Sequence, residues 1–150
     1  LVAMDGFVLF SASDPLRGRE LWRTDGTPAG TRLVLDIAPG SSSGVLPESA
    51  SFAVRSGAHY YFAALTPAFG RELWLSDGTP AGTRLVRDVR PGPLDGLSVL
   101  SRAVASPTHL LFTANDGASG FELWRTTGTS ASTQLVADLS PGTADTDFFE

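Results

Sequence analysis

Three residue types that can do chemistry recur in a fixed order along this chain: a glutamate, a tryptophan two residues later, and an aspartate three residues after that. The sets are Glu20, Trp22 and Asp25; Glu72, Trp74 and Asp77; and Glu122 and Trp124, followed by Thr127 in place of the aspartate. Tryptophan rings can stack on sugars, aspartate oxygens can bind calcium, and paired carboxylates can cleave glycosides. The pattern therefore raises three hypotheses: a carbohydrate site, a metal site and a hydrolase site.

The glutamates fit glycoside hydrolysis poorly, because that chemistry needs two carboxylates about 5 to 10 Å apart in one cleft. One glutamate per repeat on a strand does not supply such a pair. Strand alternation places Glu20 on the same face as Trp22, where a buried carboxylate needs a partner. We expect an arginine on the next strand, such as Arg32 or Arg84, to provide it, and we predict no catalytic residue.

The tryptophans have two interpretations. One exposed ring per repeat would suit sugar stacking. The leucine before each tryptophan points to the opposite face of the strand and also needs cover, which favours packing of both faces between neighbouring repeats. We therefore expect Trp22, Trp74 and Trp124 to be buried, each with a hydrogen-bond partner for its indole N–H, and sugar binding is the alternative.

Asp25 and Asp77 begin turns in which Gly26 and Gly78 can adopt the positive φ that such turns need. An aspartate at this place accepts hydrogen bonds from backbone N–H groups two residues later. Calcium binding is the alternative, although a calcium loop needs several acidic residues and each of these turns has one. The sequence therefore favours a structural role for both aspartates.

The third copy of this turn, around Gly128, departs from the pattern at two positions. Thr127 replaces the aspartate, and Ser132 stands where the other copies have Gly30 and Gly82. Loss of both turn residues predicts a hairpin that is less rigid than the other two or is held by a different hydrogen-bond pattern.

The composition argues against several classes of function. The 11 basic residues are all arginine and are outnumbered by 16 acidic residues, and no clustered basic face for nucleic acid is evident. There is no cysteine, and His59 and His109 are the only histidines, so a zinc centre is not expected. No apolar run reaches the ~20 residues of a membrane helix, and no phosphate loop or serine-nucleophile motif occurs. We predict no nucleic-acid partner, no membrane span and no cofactor.

The elements that position these residues belong to a repeat of about fifty residues. Its most regular part reads GRELWRTDGTPAGTRLVLDIAPG from Gly18, GRELWLSDGTPAGTRLVRDVRPG from Gly70 and GFELWRTTGTSASTQLVADLSPG from Gly120. Apolar runs separated by turn-forming pairs predict four short strands per repeat, the fourth over 31–37 and its equivalents. We predict an all-β fold, one repeat array over 1–150, with approximate repeats 1–44, 45–96 and 97–142 and a tail over 143–150.

The segment from Glu20 to Thr27, ELWRTDGT, resembles the ELWxxDGT repeat of bacterial exported and surface proteins. Residues 72–79 repeat the motif in full, and 122–129 repeat it with Thr127 for the aspartate. With the flanking strands, the resemblance covers essentially the whole chain. It implies a β-propeller-like array that is secreted or lies at the bacterial cell surface, and it implies no reaction, because no catalytic residues belong to this motif.

Propellers close with four to eight blades, so three four-stranded antiparallel blades form an open array with apolar end faces. We expect closure into a six-bladed ring, either by a second copy in a homodimer or by further repeats in a longer chain. The aromatic pair Phe148 and Phe149 in the tail is expected to dock on a neighbouring blade.

Together these expectations favour a non-enzymatic extracellular propeller module that binds a protein or glycan partner or serves as a scaffold. A lectin-like propeller with one shallow carbohydrate site per blade is the alternative. A propeller hydrolase or lyase is a third hypothesis, and it would need polar residues that differ between repeats. Arg55, Asp95 and Arg102 are of this kind, and they are too few to build a mechanism.

Overall fold

A computed structural model describes residues 1–47 and 52–146, which form three four-stranded antiparallel sheets. These residues contain no α-helix, and none of them forms a helix able to cross a membrane. The prediction of an all-β array of three four-stranded antiparallel units is confirmed at this level. The predicted docking of Phe148 and Phe149 falls outside the described residues, and the repeat boundaries stay a prediction.

Within each sheet the strands lie in chain order, so every strand pairs with its neighbours in sequence. The first sheet contains β1 (Val2–Met4), β2 (Phe7–Asp14), β3 (Gly18–Thr24) and β4 (Arg32–Leu35). The second contains β5 (Val54–Ser56), β6 (His59–Thr66), β7 (Gly70–Ser76) and β8 (Arg84–Arg87). The third contains β9 (Ala103–Ala105), β10 (Leu110–Asn115), β11 (Phe121–Thr126) and β12 (Gln134–Ala137).

The second strand of each sheet comes from a continuous apolar run of the sequence, and the third strand comes from the segment around Glu-Leu-Trp. In the second sheet every residue of β7 is buried, and β6 is buried except for partial exposure at His59 and Leu65. A run without polar alternation predicts such burial on both faces. Gly6 and Gly57, in the turns before β2 and β6, have φ of +85° and +59°, which fits tight hairpins.

The fourth strand is shorter than predicted, because the chain leaves the sheet after Leu35 rather than after Ile37. The amide of Ile37 donates to the carboxylate of Glu20 at 3.0 Å. The equivalent strands β8 and β12 also stop early, at Arg87 and Ala137. A hydrogen bond to a buried side chain thus replaces the last step of strand pairing.

Apolar side chains fill the two spaces between the sheets. In each space a leucine face on one sheet receives an aromatic face on the next sheet. The residues are Leu9, Leu21, Phe62 and Trp74 in the first space, and Leu73, Leu75, Phe112 and Trp124 in the second. The second sheet is therefore covered on both faces, as its burial pattern requires.

The connection between the first and second sheets is hydrogen-bonded to both of them. The Val45 amide donates to the carbonyl of Arg19 in β3 at 3.0 Å, and the carbonyl of Gly44 accepts from the Leu65 amide in β6 at 2.8 Å. The equivalent bond between the second and third sheets also measures 2.8 Å. The end of one repeat therefore holds the second strand of the next repeat.

The turn between β7 and β8 contacts the preceding sheet. The carbonyl of Gly78 accepts from Nη1 of Arg23 at 3.2 Å, and the same guanidinium lies 4.0 Å from the centre of the Phe7 ring. A Cβ atom at Gly78 would overlap that ring. Gly128, at the equivalent place in the third sheet, accepts from Nη2 of Arg84 at 3.0 Å. The glycine at this turn serves close approach between sheets as well as positive φ.

The variants Gly78→Ala and Gly6→Ala separate these two needs, since both glycines have φ of +85° and Gly6 has no atom near its Cβ position. For Gly6→Ala we expect the free energy of unfolding to fall by about 1–2 kcal/mol from backbone strain alone. For Gly78→Ala we expect a fall of about 2–4 kcal/mol, because Phe7 must also move. Urea unfolding measures both, and equal losses would show that the approach to Phe7 has no energetic weight.

Candidate functional site

Each sheet buries one glutamate completely, and the three are Glu20, Glu72 and Glu122, all 0 % exposed. The carboxylate of Glu20 accepts hydrogen bonds from three amides, those of Ile37, Ala38 and Gly44, at 3.0, 3.2 and 2.9 Å. The first two amides follow β4, and the third lies in the connection to the second sheet. The side chain therefore ties the end of its own sheet to the start of the next.

Glu122 binds the equivalent segment of the third sheet. It accepts from the amides of Leu139 and Ser140 at 3.1 and 3.2 Å, and from the hydroxyl of Thr146 at 2.7 Å. Thr146 stands at the position of Gly44, so a side-chain hydroxyl here replaces a backbone amide. The anchoring role is thus kept although the residue that donates has changed.

The predicted pairing of these glutamates with Arg32 or Arg84 is wrong. Arg32 is exposed, and Arg84 donates to the carbonyl of Gly128 across the space between sheets. The amides of the chain that leaves β4 converge on the carboxylate instead. Charge-assisted bonds from several amides can stabilise a buried carboxylate without a cation.

Glu72 is the least satisfied of the three. Its Oε1 accepts from the Arg90 amide at 3.0 Å, whereas its Oε2 has no hydrogen-bond partner among the described residues. Burial, with a smaller contribution from the charge of Asp88, raises the pKa of Glu72 from 4.5 to about 7. Burial likewise raises the pKa of Glu20. A pKa near 7 would suit a general acid, but a side chain that is 0 % exposed offers no access to a substrate.

The aspartates hold the turns between the third and fourth strands. Oδ1 of Asp25 accepts from the amide and the hydroxyl of Thr27 at 2.9 and 2.7 Å, and Oδ1 of Asp77 accepts from Thr79 at 2.8 and 2.7 Å. The bond from the threonine hydroxyl is the main cause that lowers the pKa of each aspartate. One carboxylate oxygen of each residue is therefore used by its own turn.

The third turn reaches the same shape by another route. Oγ of Ser132 accepts from the amides of Thr127 and Thr129 at 3.1 and 3.2 Å, which is the role of the aspartate in the other turns. A Cβ at Gly82 would overlap the carboxylate of Asp77. The turn is thus stabilised either by aspartate with glycine, as at positions 77 and 82, or by threonine with serine, as at 127 and 132. Aspartate with serine would clash, and threonine with glycine would lack the acceptor.

The candidate calcium ligands Asp25 and Asp77 lie in turns of different sheets. Within 1–47 and 52–146, no group of three or more histidine, cysteine, aspartate or glutamate side chains could hold a metal ion. His59 and His109 each sit at the start of the second strand of their sheets or just before it. The structure brings none of these residues into a shared ligand set.

The tryptophans differ in exposure along the chain. Trp74 and Trp124 are only 9 % and 5 % exposed, whereas Trp22 is half-buried. Nε1 of each ring is buried and has no hydrogen-bond partner in the part of the chain that the structure describes, so the expected partner for the indole N–H is not found. Their covering neighbours are mainly apolar, which explains why none is available. Trp22 is the most exposed of the three tryptophans, because none of the described sheets packs on its face.

Asp95 was expected to be irregular, and the structure gives it a repeated role. It accepts from the Arg71 amide at 2.8 Å, as Oγ of Ser43 accepts from the Arg19 amide at 2.9 Å. Asp145 does the same in the third sheet, at 2.8 Å. The sequence signal was present, since each of these acceptors follows its partner by the same number of residues, but serine and aspartate differ in type.

The remaining irregular residues also bind backbone. Arg55 joins the first two sheets by donating to the carbonyl of Ala3 at 3.0 Å and to Oδ1 of Asp5 at 2.7 Å. Nη1 of Arg102 donates to the carbonyl of Leu100 at 2.9 Å.

One cleft gathers residues that differ between repeats. It has a volume of about 250 Å³ and lies where the second and third sheets meet. Its lining includes Ser56, His59, Tyr61, Thr108, His109 and Thr127. Nδ1 of His109 lies 2.8 Å from the hydroxyl of Thr108. The first sheet has Phe7 at the position of the histidines, so this cleft has no counterpart between the first two sheets with the same chemistry.

Comparisons with protein-family models, with curated proteins and with solved structures found no match to this chain.

The turn geometry predicts strong coupling between positions 77 and 82. We expect Gly82→Ser alone to destabilise the chain, because the new Cβ overlaps the Asp77 carboxylate, and Asp77→Thr alone to lose the acceptor for Thr79. The double variant rebuilds the arrangement of the third turn and should recover at least about 1 kcal/mol relative to the sum of the single losses. Urea unfolding of the four proteins gives the coupling. Additive losses would contradict the exchange of one solution for the other.

Burial of Glu72 predicts that stability falls as pH rises. Because its folded pKa is about 7 and its ordinary value is 4.5, its contribution is fully present below pH 4.5 and is lost as pH rises through 7, by up to about 3 kcal/mol. Asp25 and Asp77 have lowered pKa values, so their contributions change at lower pH than this window. Unfolding free energies measured from pH 4.5 to 8 should show the fall.

The variant Glu72→Gln should weaken that pH dependence, since glutamine keeps the acceptor for the Arg90 amide and cannot ionise. The slope that remains is expected from Glu20, whose pKa burial also raises. Asp5→Asn, which changes an exposed carboxylate, is the matched control and should leave the slope unchanged. An unchanged slope in Glu72→Gln would mean that Glu72 does not titrate in this range.

Proposed function

We propose that this chain is a non-enzymatic β-propeller-like module, in which each sheet is one blade, and that it serves binding or scaffolding in a secreted or surface bacterial protein. One observation carries the proposal: the repeated polar side chains form hydrogen bonds that hold the fold together. Each buried glutamate accepts from the segment after its fourth strand, and each aspartate accepts within its turn. Residues used in this way are not free to act on a substrate.

The propeller arrangement is supported by the way the sheets follow one another. Each sheet presents a leucine face to the aromatic face of the next, with the connection hydrogen-bonded to both. Repetition of one such step turns successive sheets around a common axis. Six blades, from two chains or from further repeats, complete the ring in this proposal. The bacterial and extracellular setting rests on the resemblance to the ELWxxDGT repeat.

The cleft between the second and third sheets is the part of the module that we assign to ligand contact. Its hydroxyl and imidazole groups can donate and accept hydrogen bonds, and its lining is not repeated between the first two sheets. Loops that differ between repeats on a repeated frame are where such proteins vary their binding.

Carbohydrate binding is a second candidate, and the partial exposure of Trp22 favours it. Burial of Trp74 and Trp124 leaves one tryptophan rather than one per blade for stacking on a sugar. Hits of the folded chain on a glycan array that disappear in Trp22→Ala would support this candidate over a protein partner.

A turnover screen tests the non-enzymatic role. The folded chain is incubated with chromogenic esters, glycosides and phosphoesters, and we expect no turnover above that of buffer. Glu72→Gln is the sharpest variant, because Glu72 is the carboxyl whose pKa lies near 7. Turnover by the chain that is lost in a folded Glu72→Gln protein would overturn the proposal.

A further inference from the structure

The outer face of the third sheet exposes side chains that are buried at the same positions elsewhere. Val136 is 47 % exposed, whereas Val34 and Val86 are each 4 % exposed. Leu139 is 58 % exposed, whereas its equivalents Ile37 and Val89 are 6 % and 3 % exposed. The first two sheets are covered here by the sheet that follows them, and no further sheet follows the third within residues 1–47 and 52–146. This surface, which we call the leucine end face, also contains Val104, Leu111, Leu123 and Arg125.

The first sheet, at the other end of the array, exposes aromatic side chains whose equivalents are buried in the second and third sheets. In the first sheet Phe10 and Trp22 are half-buried. Their equivalents are covered by a preceding sheet: Phe62 and Phe112 are 0 % and 1 % exposed, and Trp74 and Trp124 are 9 % and 5 % exposed. We call this surface of the first sheet the aromatic end face.

We propose that the leucine end face of one chain binds the aromatic end face of a second copy, and that two such contacts close a six-bladed ring with two-fold symmetry. The argument is continuity with the two interfaces already inside the chain, each of which joins these same two kinds of face. The inference rests on the proposed blade arrangement and is independent of the non-enzymatic role. A two-fold axis makes the two contacts identical.

The leucine end face has a groove that could receive aromatic side chains of the second copy. A groove of about 300 Å³ lies there, lined by Val104, Leu111, Leu123 and their neighbours. The equivalents of Leu111 and Leu123 in the first sheet are Leu9 and Leu21, which pack with Phe62 and Trp74 of the second sheet. The same groove therefore suits the aromatic side chains Phe10 and Trp22 of a second copy.

One polar contact of the first internal interface also has counterpart residues at the two ends. Arg23 donates to the carbonyl of Gly78 in the next sheet. Arg125 occupies the position of Arg23 in the third sheet and is exposed, and its Nη2 donates to Oε1 of Gln134 at 3.2 Å. Gly26 occupies the position of Gly78, and no atom lies within 4 Å of its Cβ position. We assign Arg125 of one copy as the donor to the Gly26 carbonyl of the other.

Light scattering on the 150-residue chain tests the contact, at concentrations from about 1 to 100 µM that span a micromolar Kd. We expect a species of twice 15.7 kDa. Val136→Asp, which places a charge on the leucine end face, should raise the Kd on the order of 100-fold or more. Arg125→Ala should raise it by about tenfold through loss of one charge-assisted bond.

Leu16→Asp is the matched control, because Leu16 is also exposed, at 75 %, but lies in the turn between β2 and β3 outside both end faces. It should leave the mass unchanged. Circular dichroism shows whether each variant folds. If Val136→Asp does not fold, Arg125→Ala still tests the contact. A monomer at every concentration, growth beyond two copies, or a dimer that resists both substitutions would overturn the proposal. None of these results depends on turnover or glycan binding, so the two proposals fail separately.

Discussion

A carboxylate with no access to solvent lies in every sheet, and it needs hydrogen bonds that the sheet itself does not provide. A buried charge without partners would cost several kcal/mol. In the first and third sheets the donors come from the chain just after the fourth strand and from the connection to the next repeat. The chain must therefore leave the sheet early and fold back over the glutamate. This need determines where the fourth strand stops and where the next sheet begins.

The path imposed by the glutamate also joins the sheets to one another. Gly44 donates its amide to Glu20 and accepts at its carbonyl from the Leu65 amide of the second sheet. One residue thus links a buried charge in one repeat to a strand in the next. A Cβ atom at Gly44 or Gly96 would overlap the carboxylate of Glu20 or Glu72, whereas the third sheet has Thr146 at this position, whose hydroxyl donates to Glu122.

The strands could be predicted from the sequence because they depend on local patterns: apolar runs, turn pairs and a repeat that can be compared three times. The hydrogen-bond partners of the glutamates could not be predicted. Most are backbone amides 17 to 24 residues further along the chain, and almost any residue type can supply such an amide. Asp95 was missed for a different reason, since Ser43 and Asp145 share its acceptor role and the first of these is a different residue type. The shortened fourth strand follows from the same hidden contact. Comparison of the three repeats thus predicts the strands and turns but does not predict the hydrogen bonds between side chains and the backbone.

The differences between repeats are more informative about function than their similarities. Glu20, Glu72 and Glu122 all stabilise the fold by binding the backbone after the fourth strand. In the third turn, threonine stands at the position of Asp77, and Ser132 supplies the hydrogen-bond acceptor instead. Selection for folding alone would allow such exchanges at any repeat. His59 and His109 line the cleft between the second and third sheets, at the position where the first sheet has Phe7. Among the described residues, neither imidazole ring forms a hydrogen bond to a buried glutamate or to a turn aspartate. That cleft is therefore where the proposed ligand contact is best tested.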